Sequence, residues 1–216
     1  MTTPHFEHLR IQYGARPLTE ADLTADPLDL IQAWLAAAAA AGTSEPNGMA
    51  LATVDATGAP HCRIVLLKGL DAAGLRFFTS YESDKGRELA HEPRAAATFW
   101  WQRPLARQVR IEGDVRRGDP AEADTYFATR PRDSQLAASV SPQSRVVGDV
   151  AELAARKAAL AAQLAGAPVP RPASWGGYLL VPRRIEFWQG KDHRLHDRFC
   201  FTREREGAWA VVRLAP

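Results

Sequence analysis

The stretch GMALATVDATGAPHCRIVLLKGLDAAGLRFFTS, residues 48 to 80, decides the fold. MALATVD, HCRIVLLKGL and LRFFTS are strand-forming runs, and the breaks between them, Ala56-Thr57-Gly58 and Asp71-Ala72-Ala73-Gly74, are short turns. Turns of that length join antiparallel neighbours, so three successive antiparallel strands are expected. Ser83 can then cap a short helix, DKGRELAHE, which Pro93 follows. Two longer strand candidates come next, RAAATFWWQ and ARQVRIEGDVRR, joined through Arg103-Pro104.

Outside this block, Asp26 followed by Pro27 gives a helix cap and a first-turn proline, and LDLIQAWLAAAAAA runs on to a stop at Gly42. Asp119-Pro120 repeats the signature and starts a helix through Tyr126 and Phe127. Pro131 begins a further helical turn containing Arg132-Asp133-Ser134-Gln135, and a third helix lies between Asp149 and Gly166. The link PVPRP, residues 168 to 172, delivers the chain to Trp175-Gly176-Gly177 and the last strands. About six or seven strands with helices outside them predict a mainly β protein with peripheral helices (α+β), its sheet a closed or nearly closed antiparallel barrel. Residues 1–25 show no clear period and read as a mobile N-terminal arm, leaving 26–216 as a single domain.

Composition narrows the function. The 27 basic and 25 acidic residues leave a formal net charge of +2, which does not favour general nucleic-acid binding. Only four of the basic residues are lysines: Lys68, Lys85, Lys157 and Lys191. Cys62 and Cys200 form no CxxC and have no companions at zinc spacing, so no metal site is indicated and a reducing cytoplasm fits. The amino terminus lacks the order of a signal peptide, and the longest apolar run, Ala33 to Ala41, is too short to span a bilayer, so a soluble protein is expected.

Several stretches carry candidate chemistry. RIEFWQGKDHRLHDR, residues 184 to 198, reads as a hairpin turning at Gln189-Gly190 and Lys191-Asp192, with a second strand beginning at His193. Alternation would then project Arg194, His196 and Arg198 together, with Leu195, Asp197 and Phe199 opposite; the three form an anion site or the solvated face of an edge strand. Arg63 and Lys68, five apart on one strand, would face opposite sides and serve two anionic groups or merely mark the strand ends. Thr79, Ser83, Lys85 and Arg87 gather hydroxyls and cations at a helix amino terminus, where a phosphate or ordinary capping accounts for them. Tyr126 and Arg130 share a helix face with Ser134 four residues on, a phosphate grip or a surface pair with a cap. Gln108, among Val109 and Ile111, and Gln143-Ser144 in a loop can bond a heterocycle edge or backbone. No hydrolase signature stands out.

Taken together, ADPL at 25–28, RIVLLK at 63–68, RPRDSQ at 130–135, SWGGY at 174–178, FWQGKDHRLHDR at 187–198 and the terminal RLAP resemble, in order and over nearly the whole chain, the pyridoxine (pyridoxamine) 5'-phosphate oxidases. The resemblance implies an FMN-binding split β-barrel, paired through C-terminal dimerisation strands into a homodimer with FMN at the interface. It implies FMN contacts at Arg63, Ile64, Val65, Leu66, Leu67 and Lys68, at Phe78, Thr79, Asp84 and Lys85, and at Gln108, Gln143, Ser144, Trp188 and Arg198. Substrate contacts are implied at Lys68, Tyr126, Arg130 and Ser134 around a phosphate, and at Arg194, Leu195 and His196 near the pyridine ring. Arg194 and His196 are the implied catalytic pair, and Arg10 and Tyr13 belong to an arm that covers the substrate. The implied reaction is oxidation of pyridoxine or pyridoxamine 5'-phosphate by oxygen to pyridoxal 5'-phosphate with release of hydrogen peroxide. A related split-barrel flavin oxidase or reductase, and a non-catalytic flavin or pyridoxal-phosphate binder, are the alternatives. Asp84 departs from the family pattern, which commonly has arginine there, and implies weaker FMN retention unless it points away or Arg87 compensates. Phe78 lacks a hydroxyl often found at its position.

Overall fold

In a computed structural model, described here for residues 12–205 and 207–216, the chain forms nine strands and five helices. In chain order these are α1 (Pro27–Ala40), β1 (Gly48–Val54), β2 (Pro60–Leu66), β3 (Gly69–Asp71), β4 (Gly74–Ser80), α2 (Asp84–His91), β5 (Arg94–Trp101) and β6 (Arg107–Arg117). There follow α3 (Pro120–Thr129), α4 (Arg132–Val140), α5 (Val150–Leu164), β7 (Trp175–Gln189), β8 (Asp197–Arg203) and β9 (Trp209–Arg213). The strands hydrogen-bond in the order β2-β1-β5-β6-β7-β4-β3, while β8 pairs with β7 and β9 with β8. Nine strands exceed the six or seven expected, and one of the additional ones arises because HCRIVLLKGL breaks after Leu66. There the Lys68 amide turns to donate to the Arg76 carbonyl at 2.8 Å, and β3 starts afresh at Gly69.

The chain divides into two compact units, residues 48–97 with 112–182, and residues 1–47 with 98–111 and 183–216. In the first unit β1 and β2 form a hairpin in which Leu51 faces Arg63. Met49, Leu51 and Thr53 alternate inward along β1, as a half-buried strand requires. Ser83 caps α2 by accepting from the Gly86 amide at 3.2 Å. Gly86 itself seats α2 on the preceding strand end: a Cβ there would lie 2.3 Å from the Tyr81 carbonyl oxygen.

Helix α3 stops at Thr129 because a residue before proline avoids helical backbone, and Arg130 accordingly sits at φ −70°, ψ 148°. The carbonyls freed at this corner are gathered by one side chain. The Gln135 amide donates to Phe127 at 2.9 Å, Ala128 at 3.2 Å and Arg130 at 3.0 Å. Phe127, Leu136, Val169 and Trp175 pack beneath, each worth about 1.5–3 kcal/mol on full burial of a large apolar side chain.

In the second unit α1 is capped by Asp26, which accepts from the Leu28 amide, and Pro27 fills the position where a missing N–H costs nothing. Leu30, Ile31, Trp34 and Ala38 make its buried stripe. The Trp34 ring meets Phe187 edge-on at 5.2 Å, and the Arg107 guanidinium lies 4.4 Å over its face. β7 and β8 pair from Arg184↔Thr202 to Gln189↔Asp197, where the ladder ends.

A cationic cavity and an aromatic-flanked histidine

The first unit contains a cavity of about 540 Å³, inside the range of about 300–1,000 Å³ typical of small-molecule sites. β2 lends it Arg63, Ile64, Val65 and Leu66, and the break after β2 lends Lys68. β4 supplies Phe78 and Thr79, and α2 supplies Lys85. Tyr126, Arg130, Ser134 and Gln143 complete the expected set within it, joined by Thr129, Pro131 and Trp175. Among the described residues, four cations and no carboxylate line this space. Three rings are stacked in its wall: Phe78 lies 4.2 Å from Tyr126 and 5.6 Å from Trp175, with interplanar angles of 27° and 12°.

Lys85 is only 8% exposed, and its ammonium reaches Thr79 Oγ1 at 3.3 Å and Gln143 Oε1 at 3.4 Å. Burial, then the neighbouring Arg63 charge, holds its pKa below the ordinary lysine value, while Asp84 and Glu88 oppose that shift. Arg130 lies over Trp175 at 4.8 Å, and burial lowers its pKa too. Its Nη1 is buried without any hydrogen-bond partner, alone in this among the described side chains. A buried guanidinium N–H without an acceptor is costly, and an anion in the cavity would supply one.

Arg63 is held from behind by two residues that the sequence reading missed. Glu88 accepts from its Nη2 at 2.7 Å, and the Thr53 hydroxyl meets Nη1 and bonds the same carboxylate. Burial raises the Glu88 pKa, but the hydrogen bonds from Thr53 and Arg63 outweigh it and leave the pKa below the ordinary value. The available signal was a glutamate on the same face of α2 as Lys85 and Leu89, a buried stripe on which a carboxylate needs a partner.

Arg63 and Lys68 do not face opposite sides of one strand, because β2 ends between them; both line this cavity. Tyr126 and Arg130 do not share a helix face, since Arg130 lies beyond the end of α3; they meet at the corner instead. Leu67 is buried and does not line the cavity, and Ser144 is exposed beside Gln143 with φ 68°. Asp84 lines a different cavity, with His61, His91 and Arg87, and is ion-paired with Arg87. Asp84 thus lies outside the cationic cavity, paired with Arg87, although its charge still reaches Lys85. On the FMN binding that the resemblance implies, replacing Asp84 with arginine is expected to change affinity by no more than about threefold, within what surface charges contribute; titration of the ligand-free protein by flavin fluorescence checks this.

The remaining candidates lie in the second unit, except Arg10, which is outside the described residues. The expected hairpin strand does not start at His193. Asp192–Arg194 form a single 3-10 turn, His193 and Arg194 both have left-handed backbone (φ 56° and 62°), and β8 begins only at Asp197. Arg194, His196 and Arg198 therefore do not alternate along one strand. Arg198 already has its anion: buried Glu186 accepts from its Nε at 3.0 Å and its Nη2 at 2.8 Å. His196 stands 4.7 Å from Trp188 and 5.9 Å from Tyr13, ring to ring. Leu195 is exposed, and Gln108 is half-buried on β6.

An antiparallel sheet of this order with a cationic, aromatic-walled cavity defines a class, that of the split-barrel proteins. A solved FMN-binding, pyridoxamine 5'-phosphate oxidase-related protein of Nostoc punctiforme shares the fold at a TM-score of 0.67, 17% identity, and coverage of 86% of this chain and 96% of that one. Residues 35–163 match the family model described as pyridoxamine 5'-phosphate oxidase, and residues 175–216 match the pyridoxine 5'-phosphate oxidase C-terminal dimerisation region. The chain belongs to the pyridoxine/pyridoxamine 5'-phosphate oxidase family. It is 50% identical to the pyridoxine/pyridoxamine 5'-phosphate oxidase of Pseudomonas paraeruginosa over 99% of this chain and 100% of that protein. It is also 50% identical to that of Thermosynechococcus vestitus, over 96% and 97%. The crystal structure of PhzG from Burkholderia lata, in complex with tetrahydrophenazine-1-carboxylic acid, is similar at a TM-score of 0.87 and 31% identity, over 94% of this chain and 99% of that one. Among the described residues no helix is long and apolar enough to cross a membrane, and no cluster of side chains suits a metal ion.

Proposed function

We propose that this chain is an FMN-dependent oxidase of pyridoxine 5'-phosphate and pyridoxamine 5'-phosphate. With oxygen it yields pyridoxal 5'-phosphate and hydrogen peroxide; from the amine, water is consumed and ammonia leaves. The observation that carries this reading is the acid-free cavity with four cations and an orphaned Arg130 N–H beside three stacked rings. That donor set suits two phosphate monoesters of flat aromatic molecules better than one.

Arg63, Thr79 and Lys85, with Gln143, would hold the FMN phosphate and its neighbouring polar groups. Lys68, Tyr126, Arg130 and Ser134 would grip the substrate phosphate. FMN, when bound, supplies the two-electron redox chemistry. The chain's own work is to fix the substrate by its phosphate, so that binding energy is spent on orientation, and to set Arg194 and His196 against the pyridine substituents. Trp188, Gln108 and Arg198 are proposed as further FMN contacts, and the segment carrying Tyr13 as the substrate cover. A homodimer is proposed from the match of residues 175–216 to a dimerisation region, within which Val211 and Val212 of β9 are exposed. A reducing cytoplasm fits the two free cysteines.

The test is the visible spectrum of FMN-reconstituted protein before and after anaerobic addition of pyridoxine 5'-phosphate. Bleaching that reverses when oxygen is admitted is the expected result. A flavin that binds and stays yellow would shift the reading to an oxidase of phenazine-type carboxylates, which the likeness to PhzG favours. The four-residue phosphate grip has no use for such a substrate.

A further inference from the structure

The loop that carries Arg194 also settles which protons His196 can hold. The Lys191 backbone N–H donates to His196 Nδ1 at 3.0 Å. A ring nitrogen that accepts from an amide carries no proton, so in the neutral ring the proton lies on Nε2. The charged groups around the ring act together. Arg194 and Lys191 are cationic, and Asp197 is the one carboxylate among the groups acting on it. Asp197 is already engaged by Lys191 Nζ at 3.2 Å, Arg213 Nη1 at 3.0 Å and the Leu18 amide at 3.1 Å. Burial and the Arg194 charge keep the His196 pKa below its ordinary value, with Asp197 opposing. Tyr13 and Trp188 flank the ring at 71° and 47° and limit its rotation.

We propose that His196 serves the reaction as a hydrogen-bond donor through Nε2, to a lone-pair oxygen of the substrate, and not as a proton acceptor. This rests on the function proposed above. The ring's only lone pair is spent on the Lys191 amide, so a proton leaving the substrate cannot be taken by His196 without breaking that bond. The Arg194 guanidinium carries donors only and no acceptor. Neither member of the implied catalytic pair is then a base: both hold and polarise, with Lys191 as the positioning residue through its main chain. The substrate's hydroxyl proton would pass to solvent water, to which the neighbouring Leu195 is exposed.

The test has two arms. In FMN-loaded protein labelled with ¹⁵N-histidine, the His196 signals, assigned by their loss in His196→Gln, should show a protonated Nε2 and a bare Nδ1 at neutral pH. A proton on Nδ1, alone or in an imidazolium, overturns the proposal. In anaerobic single-turnover reduction, glutamine retains an N–H near the place of Nε2 but has no basic nitrogen. His196→Gln is expected to lose about tenfold and His196→Leu at least about a hundredfold, the difference being one hydrogen bond in the site. A base would instead make both variants fall together, by about 10²–10⁴-fold. Should the wild-type flavin not be reduced by pyridoxine 5'-phosphate at all, the proposed function fails while the nitrogen signals still decide the tautomer.

Discussion

Replacing Arg130 with alanine is expected to raise KM for pyridoxine 5'-phosphate by about 10–100-fold, the worth of a charge-assisted hydrogen bond at about 1.5–3 kcal/mol, with little change in kcat. On the proposed function the substrate phosphate is remote from the reacting carbon and bound alike in ground and transition states, so the loss falls on binding. The ligand-free protein should not become less stable. Arg130 Nη1 is buried without a partner, a burden of about 1–3 kcal/mol that alanine removes. Against this stands the lost contact over Trp175, about 0.5–1 kcal/mol for a cation over a ring. Thermal unfolding with and without pyridoxal 5'-phosphate separates the two effects: an unchanged or higher ligand-free midpoint, and a smaller rise on adding ligand. Arg194→Ala, by contrast, should lower kcat as well as kcat/KM. Indistinguishable kinetics for the two variants would sink this division of labour.

The second large effect is expected at Gly86. Alanine is the better helix former by about 1 kcal/mol, so propensity alone would stabilise α2. Packing decides otherwise. The new Cβ would stand 2.3 Å from the Tyr81 oxygen, 2.5 Å from its carbonyl carbon and 2.7 Å from the Ser80 oxygen, all of them backbone atoms that cannot rotate away. Overpacking of this kind costs about 1–3 kcal/mol and more against main chain. The helix must lift, taking with it Lys85 and the Glu88 carboxylate that holds Arg63. Gly86→Ala should therefore lower the unfolding midpoint and weaken FMN binding at least about tenfold. A variant that melts like the parent and binds FMN equally would show that α2 is not seated as described.

Much of this was legible in the sequence, for identifiable reasons. Caps and prolines act locally, so Asp26-Pro27, Ser83 and Asp119-Pro120 mark helix starts that the structure reproduces. The turns at Gly58 and Gly74 divide the strands where expected. Twelve of the expected site residues line one cavity, because the motifs that carry the resemblance travel with the fold. What was not legible depends on partners distant in sequence. The end of β2 is set by the Arg76 carbonyl, and the anion beside Arg198 comes from Glu186 across the β7–β8 ladder. No spacing rule shows that Glu88 reaches Arg63, 25 residues away. The loop before β8 misled for a different reason: His193 and Arg194, neither of them glycine, both take a left-handed conformation that costs a residue with a Cβ.

On the proposed function, that pair of residues puts heat resistance and turnover in opposition. Each left-handed non-glycine residue stores about 1–2 kcal/mol, which glycine at the same place would release. A selection for thermostability would find His193→Gly readily. The freed loop would let Arg194 wander, and with it the Lys191 amide that orients His196. An engineer seeking a robust variant should fix these positions and look for gains on the exposed helix α5, none of whose side chains is buried.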